Sequence, residues 1–337
     1  MASIRLTKAQ QFWPLTDYLR DFGVPVGRYI EQFRLSKKML DAPEIFIDEA
    51  RFWKLSASLA VREGFPDWGY RAGLQLNFSI LGEFGEALIS QPTLKVALEQ
   101  FVETISAETQ CPFGLMQQRD YTWLMMRGCN AAPEGRHIIE LYDLAFLIKL
   151  VRNAAGSNWR PTSVHLQTAA LPAGVDVKEI SAGSIRYQST MTAIAISNEL
   201  LSLPMSKHVS AAATTHPKTA HPASRSLLTE ANFATSLRLL LIGHVDECVT
   251  INDCADMVGM SSRTLQRRLA MHDTTFNKLL DQTRFDLAQE LLSDQSISVT
   301  DIAGELGYQD PANFSRAYRR WAGVSPRKYR QQFAQSH

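Results

Sequence analysis

Apolar and polar positions follow two different rhythms along this chain. Near the N-terminus apolar residues recur at helical spacing in "LTDYLRDFG" and "VGRYIEQFRLSKKML". They do so again in "IDEARFWKLSASLAVREG", whose early acids suit a helix N-terminus, and in "TLKVALEQFVETISAET". The rhythm then shortens. "CPFGLMQQ" and "YTWLMMRG" predict strands joined by a tight connection at Arg119 and Asp120. "RHIIELYDLAFLIKLVRNAAG" predicts a long apolar helix closed by Gly156, and "SVHLQTA", "IRYQ" and "TAIAIS" predict further strands. The expected fold of this part is α+β.

Between Met205 and Arg225, "MSKHVSAAATTHPKTAHPASR" contains almost no large apolar residue and reads as a linker. Its three histidines, His208, His216 and His221, have spacings that fit no compact metal site. Beyond it the strand signals nearly vanish. "SLLTEANFATSLRLLLIGHV" carries an apolar helical stripe, and "TINDCADMVG" with "SSRTLQRRLAMH" reads as a helix pair. "TFNKLLDQTRFDLAQELLSD" sets Phe276, Leu279, Leu280, Leu287 and Leu291 on one face. "SVTDIAGELG" with "DPANFSRAYRRWAG" forms a second pair, and "SPRKYRQQF" closes the chain with Ser325 as N-cap and Pro326 in the first helical position. The expected organisation is a regulatory domain over 1–204, a linker over 205–225 and an all-α domain over 226–337.

The two helix pairs repeat one motif. Ala255, Gly259 and Met260 recur forty-eight positions later as Ala303, Gly307 and Tyr308. After one extra residue in the second turn, Leu265, Arg267 and Leu269 correspond to Phe314, Arg316 and Tyr318. A small residue where two helices approach, a glycine four positions on and a second helix make a helix-turn-helix. Packing Leu265 and Leu269 inward turns Arg263, Thr264, Gln266 and Arg267 outward. Packing Phe314 and Tyr318 inward turns out Asn313, Ser315, Arg316 and Arg319. Such side chains suit the major groove, where Arg can bond guanine and Asn or Gln can bond adenine through two hydrogen bonds.

Charge sharpens this reading locally. The chain has 337 residues, 45% hydrophobic and 20% charged, which allows two or three globular domains, and its net charge of +1 does not by itself point to nucleic acid. From Pro311 onward, however, there are Arg316, Arg319, Arg320, Arg327, Lys328 and Arg330 and no acid. No eighteen-residue apolar run predicts a membrane helix, and the N-terminal stretch reads as a capped helix, not a signal peptide. Cys111, Cys129, Cys248 and Cys254 lack CxxC spacing and suit free thiols in a reducing cytoplasm.

On "CADMVGMSSRTLQRRL", "TFNKLLDQTRFDLAQELL" and "SVTDIAGELGYQDPANFSRAYRRWAGVSPRKYR", the region from about Ser226 to Phe333 resembles the AraC/XylS family of bacterial transcription regulators. The resemblance implies two helix-turn-helix subdomains joined by a long helix. At about 30 Å for twenty residues, that helix would be close to the roughly 34 Å duplex repeat. The first domain resembles an arabinose-binding-type regulatory domain through "LTDYLRDFGV", "GEFGEALISQPTLKVALEQF", "SNWRPTSVHLQTAALP" and "NELLSLPM", which implies effector sensing or dimerisation but not arabinose itself.

Carried onto this chain, the family's DNA-facing positions are Ser261, Ser262, Arg263, Thr264, Gln266 and Arg267 in the first unit. In the second they are Pro311, Ala312, Asn313, Ser315, Arg316 and Arg319. Arg320 and Lys328 join them as phosphate contacts. Ala312 departs from the polar residues of the family pattern and could meet only a thymine methyl.

Other constellations point nowhere as sharply. His137 and Glu140 at a helix start fit a capping role better than a metal pair, and Asp143 on the same helix reads as a chance neighbour. Trp53, Trp68, Tyr70, Trp123 and Trp159 suit core positions more than a pocket. No GxSxG, P-loop or GxGxxG occurs, and the two glycines of "LGEFGEALIS" lack a phosphate-binding context.

The expected protein is a cytoplasmic, sequence-specific transcription regulator, associated with the nucleoid when bound to promoter DNA. It is expected to be an effector-responsive homodimer that meets RNA polymerase, with no catalytic or metal site and no cofactor, the identity of the small-molecule effector being left open. One rival is an effector-independent regulator controlled by its abundance; another is an enzyme or metabolite carrier tethered to DNA. A ligand-sized pocket with convergent polar groups in the first domain would favour gating by a small effector, and a solid core would favour the first rival.

Overall fold

The computed structural model describes residues 4–42, 44–108, 113–127, 135–206, 232–247 and 249–336. Most of the expected linker, with His208, His216 and His221, lies outside them, as do Cys111, Cys129 and Cys248. The chain divides into two compact units, one over 5–230 and the other over 231–337 together with residues 1–4.

The first unit starts with β1 (Leu6–Lys8), α1 (Trp13–Asp21) and α2 (Val26–Gln32). The expected second helix stops early because Arg34 takes a left-handed conformation (φ 51°), and a short 3-10 turn over Lys37–Leu40 completes the segment. β2 (Phe46–Asp48) pairs antiparallel with β1. Asp48 then caps α3 (Glu49–Arg62), accepting from Arg51 N at 2.8 Å. α4 (Trp68–Gln75), α5 (Gly82–Ile89) and α6 (Leu94–Glu108) follow. The pairing of β1 with β2, and helices α4 and α5, are additions to the sequence-based expectation.

β3 (Phe113–Gln117) and β4 (Tyr121–Arg127) form the expected hairpin, closed by Gln118 N donating to Tyr121 O at 2.8 Å. α7 (Arg136–Ala155) ends as expected at Gly156, whose φ of 93° suits glycine. β5 (Ser163–His165), α8 (Val177–Ile180), β6 (Ser184–Arg186) and β7 (Met191–Ser197) complete the unit. Among the described residues the main sheet has the order β3-β4-β7-β5-β6, antiparallel except for β5 with β6.

α7 is apolar nearly all round and buries residues from Ile138 to Val151. α4 lies close against it: a Cβ on Gly69 would come within 2.2 Å of the Ile138 carbonyl oxygen. Lys149 Nζ also donates to Leu74 O at 2.7 Å.

The second unit is helical throughout the described residues: α9 (Phe233–Ile242), α10 (Ile251–Met257), α11 (Ser262–Ala270), α12 (Phe276–Ser293), α13 (Val299–Glu305), α14 (Pro311–Ala322) and α15 (Pro326–Ser336). The α+β and all-helical division of fold matches expectation. α12 has 18 residues, about 27 Å at the α-helical rise. Its buried face differs from the expected one. Phe276, Leu279 and Leu280 are buried, but farther along Ala288 and Leu292 are the buried residues, with Leu287 and Leu291 only packed at the edge. The stripe rotates because α12 contacts different helices along its length, α9, α13 and α15 among them.

Candidate functional site

α10–α11 and α13–α14 have the same local construction. Thr250 caps α10 in a reciprocal box with Asp253, and Ser298 caps α13 with Asp301 N donating to its hydroxyl at 3.1 Å. Gly259 and Gly307 then turn at φ 65° and 77°. Met260 N donates to Ala255 O at 2.9 Å, and Tyr308 N donates to Ala303 O at the same distance. Beneath these turns Ala255, Leu265 and Leu269 are buried in one pair, and Ala303, Phe314 and Tyr318 in the other. Cys254 is also fully buried, and burial pushes its thiol up to about 12, leaving little thiolate for reaction.

This packing phases the second helices. On α11, Arg263, Gln266 and Arg267 are exposed, Ser262 and Thr264 are half-buried, and Ser261 is exposed at the N-cap. Ser261 accepts from Thr264 N at 3.2 Å, and the two hydroxyls lie 2.9 Å apart, so both help to start the helix. Arg268, next to Arg267 in sequence, is turned aside, with its guanidinium 5.1 Å from the Phe233 ring centre on α9.

On α14, Ala312, Asn313, Arg316, Arg319 and Arg320 are exposed, while Pro311 and Ser315 are half-buried. Asp310 caps this helix, accepting from Ala312 N at 2.9 Å. Arg316 donates to the Asn313 side chain, so these two groups hold each other on one face. Arg320 Nη2 lies 3.0 Å from Asp281 Oδ2 on α12. Lys328 is exposed in the first turn of α15, where its N–H donates to Ser325 Oγ at 3.3 Å, the expected cap.

The first unit contains a cavity of about 60 Å³. Phe12, Phe101, Phe113 and Phe146 supply much of its apolar wall, and Glu49, Tyr142 and Asp143 are among its polar lining. None of the five tryptophans and tyrosines singled out in the sequence lines it. Trp53, Trp68 and Tyr70 are buried core residues, and Trp123 and Trp159 are half-buried. The capping role expected of His137 and Glu140 is not what the structure shows. The N-cap of α7 is Gly135, with no side-chain cap. Glu140 is instead buried, accepting from Gln167 N, Thr168 N and Thr192 Oγ1 at 2.6, 3.0 and 2.6 Å, which ties α7 to the sheet side. Desolvation pushes the Glu140 carboxyl up and the His137 imidazole down.

Asp143 is half-buried and lines both this cavity and a smaller pocket of about 10 Å³ that it shares with Arg136 and Glu140. Desolvation, followed by the charges of Glu49 and Glu140, pushes its carboxyl well up. Burial, only partly offset by Arg5, pushes Glu49 up to about 7. Sequence reading missed this pairing because Glu49 and Asp143 are far apart in the chain. Among the described residues no three His, Cys, Asp or Glu side chains gather as a metal site would require, and no helix is long and apolar enough to cross a membrane.

Residues 23–205 match the family described as the N-terminal arabinose-binding domain of AraC transcription regulator, and residues 254–332 match a helix-turn-helix domain. Over 331 residues, 96% of each chain, the sequence is 23% identical to the HTH-type transcriptional regulator VirS of Mycobacterium tuberculosis. It is 24% identical over 327 residues, 94% of each chain, to the ornithine utilization regulator of Pseudomonas aeruginosa. The solved transcriptional regulator CdpR from Pseudomonas aeruginosa is 20% identical, with 96% of this chain and 98% of that one covered and a TM-score of 0.41.

Proposed function

The chain belongs to the AraC family of transcription regulators, and from that premise we propose that it reads promoter DNA through α11 and α14 under the control of a small effector held in its first unit. It is a DNA-binding transcription regulator with a helix-turn-helix region and an arabinose-binding-type first domain. The observation that carries the finer reading is the matched construction of α10–α11 and α13–α14, each burying an apolar pair and leaving a polar face free.

In this reading Arg263, Gln266 and Arg267 meet base edges, helped at the helix start by Ser261, Ser262 and Thr264. Asn313 and Arg316 do the same from α14, where Pro311, Ala312 and Ser315 approach the groove and Arg319, Arg320 and Lys328 hold phosphates. Residues 1–204 sense and dimerise, 205–225 link, and 226–337 bind DNA. The protein works in the cytoplasm as a homodimer on paired half-sites, in contact with RNA polymerase, and performs no catalysis.

The cavity, with an apolar wall and a few polar groups, supports gating over control by abundance alone. An effector there shifts the population between DNA-binding states only by as much as it prefers one of them. Genome-wide mapping of bound sites tests the reading. A shared motif with two half-sites upstream of genes, lost in an Arg267→Ala strain, is expected. Binding without a motif would contradict it.

A further inference from the structure

The cavity of the first unit has an acidic character that its walls do not require. Four phenylalanines would enclose a purely apolar guest, yet Asp143 opens into the same space. Among the described residues Asp143 has no hydrogen-bond or salt-bridge partner, unlike Glu140 three positions earlier, which is fully engaged. The charged groups acting on Asp143 are Glu49 from α3 and Glu140 from α7, both acids. Around Glu49 the charges are Arg5, Asp48 and Asp143, and the other titratable group lining the cavity is Tyr142, whose hydroxyl donates to Gln11 O at 3.3 Å. Of the nearby cations, Arg5 acts on Glu49, and Arg136, which lines a smaller neighbouring pocket with Asp143 and Glu140, acts on Glu140.

A carboxyl turned largely away from water and without a partner is costly as an anion. A cationic guest satisfies it, a neutral alcohol does so only through a hydrogen bond, and a carboxylate is repelled. The volume of about 60 Å³ has room for roughly four to six water-sized groups. We propose that this cavity is the effector site and that it takes a small primary amine of about six non-hydrogen atoms or fewer as its ammonium ion, held by Asp143 and Glu49, with its apolar body against Phe12, Phe101, Phe113 and Phe146. The assignment of the guest as effector rests on the gated reading above; the chemistry of the site does not.

The proton balance gives the site a signature. Burial pushes Glu49 up to about 7, so it is partly protonated near neutrality, and desolvation pushes the Asp143 carboxyl up as well. The ammonium ion favours their ionised forms and displaces protons on binding. The complex holds fewer protons than the free protein, so affinity rises as pH rises from 6 to 8.

The test is calorimetric titration of the full chain with isobutylamine, isobutanol and isobutyrate, three branched guests within that size and of different charge. The amine is expected to bind about tenfold or more tighter than the alcohol, the carboxylate to give no binding heat, and the amine affinity to be higher at pH 8 than at pH 6. Asp143→Asn should weaken the amine about tenfold while leaving the alcohol nearly unchanged, and Glu49→Gln should act in the same direction, providing a second variant if the first misfolds. Equal or tighter binding of the alcohol or the carboxylate, unchanged amine binding in both variants, or no binding of any probe would overturn the proposal. If the amine binds as expected but operator affinity does not change, gating fails and the site stands. If another compound changes operator affinity while amines do not bind, gating stands and the site falls.

Discussion

At the scale of single residues, the phase of α11 separates neighbours with the same chemistry. Arg267 faces solvent, and Arg268 packs over Phe233. Arg267→Ala or Gln266→Ala should cost about 1–3 kcal/mol on the cognate site and relax preference at one or two base pairs. Lys328→Ala should weaken cognate and scrambled duplexes alike and make the salt slope shallower by about one unit. Titrations of both duplexes at several salt concentrations separate these outcomes; equal losses for Arg267→Ala would reassign it to phosphate.

The phase of α11 was legible because Leu265 and Leu269, four apart, dictate which side is inward. The contact of Arg320 with Asp281 was not, since it depends on how α14 meets α12. Nor was the pairing of Glu49 with Asp143, which packing alone brings about. The burial of Glu49 has a consequence for stability. Glu49 has a folded-state pKa raised to about 7, so the stability it contributes is fully present at acid pH and is lost as pH rises through about 7. Glu49→Gln is therefore expected to gain in thermal midpoint over the parent as pH rises from 5 to 8, measured without ligand. A gain that is constant with pH would contradict the raised pKa.

At the scale of elements, the two helix-turn-helix turns differ in one respect. A Cβ on Gly259 would meet open space, whereas on Gly307 it would come within 2.5 Å of the Val245 carbonyl oxygen. Gly259→Ala should cost about 1–2 kcal/mol for its left-handed backbone alone, and Gly307→Ala distinctly more, as read by denaturant unfolding of the two variants. Equal losses would mean that Val245 gives way freely. The repeat itself was legible because Ala255, Gly259 and Leu265 have counterparts at matching positions. β1 and β2 were not, because three-residue strands are too short to show alternation and depend on pairing across about forty residues. The rotated buried stripe of α12 was not legible for a related reason: the helix meets several neighbours along its length, and its spacing alone does not show where one takes over from the next.

At the scale of the whole molecule, the second unit should fold and bind DNA as residues 226–337 alone, but more weakly than the full chain, because dimerisation raises the effective concentration at paired half-sites. An unfolded fragment, or one that binds as tightly as the full chain, would contradict that division of labour. Within the bound complex the two recognition helices are not equivalent. α11 presents Arg263, Gln266 and Arg267, whereas α14 presents Ala312 and an Asn313 that already accepts from Arg316, followed by the basic groups Arg319, Arg320 and Lys328. The α10–α11 pair is therefore expected to supply most of the sequence discrimination and the α13–α14 pair mainly anchoring, with DNA bending able to add preference at positions that α13–α14 only grips through the backbone. The most direct measurement is base-by-base substitution across one half-site, scoring the change in binding free energy of the full chain at each position. Penalties concentrated in the groove segment facing α11 are predicted; equal or larger penalties one helical turn away, facing α14, would contradict the account.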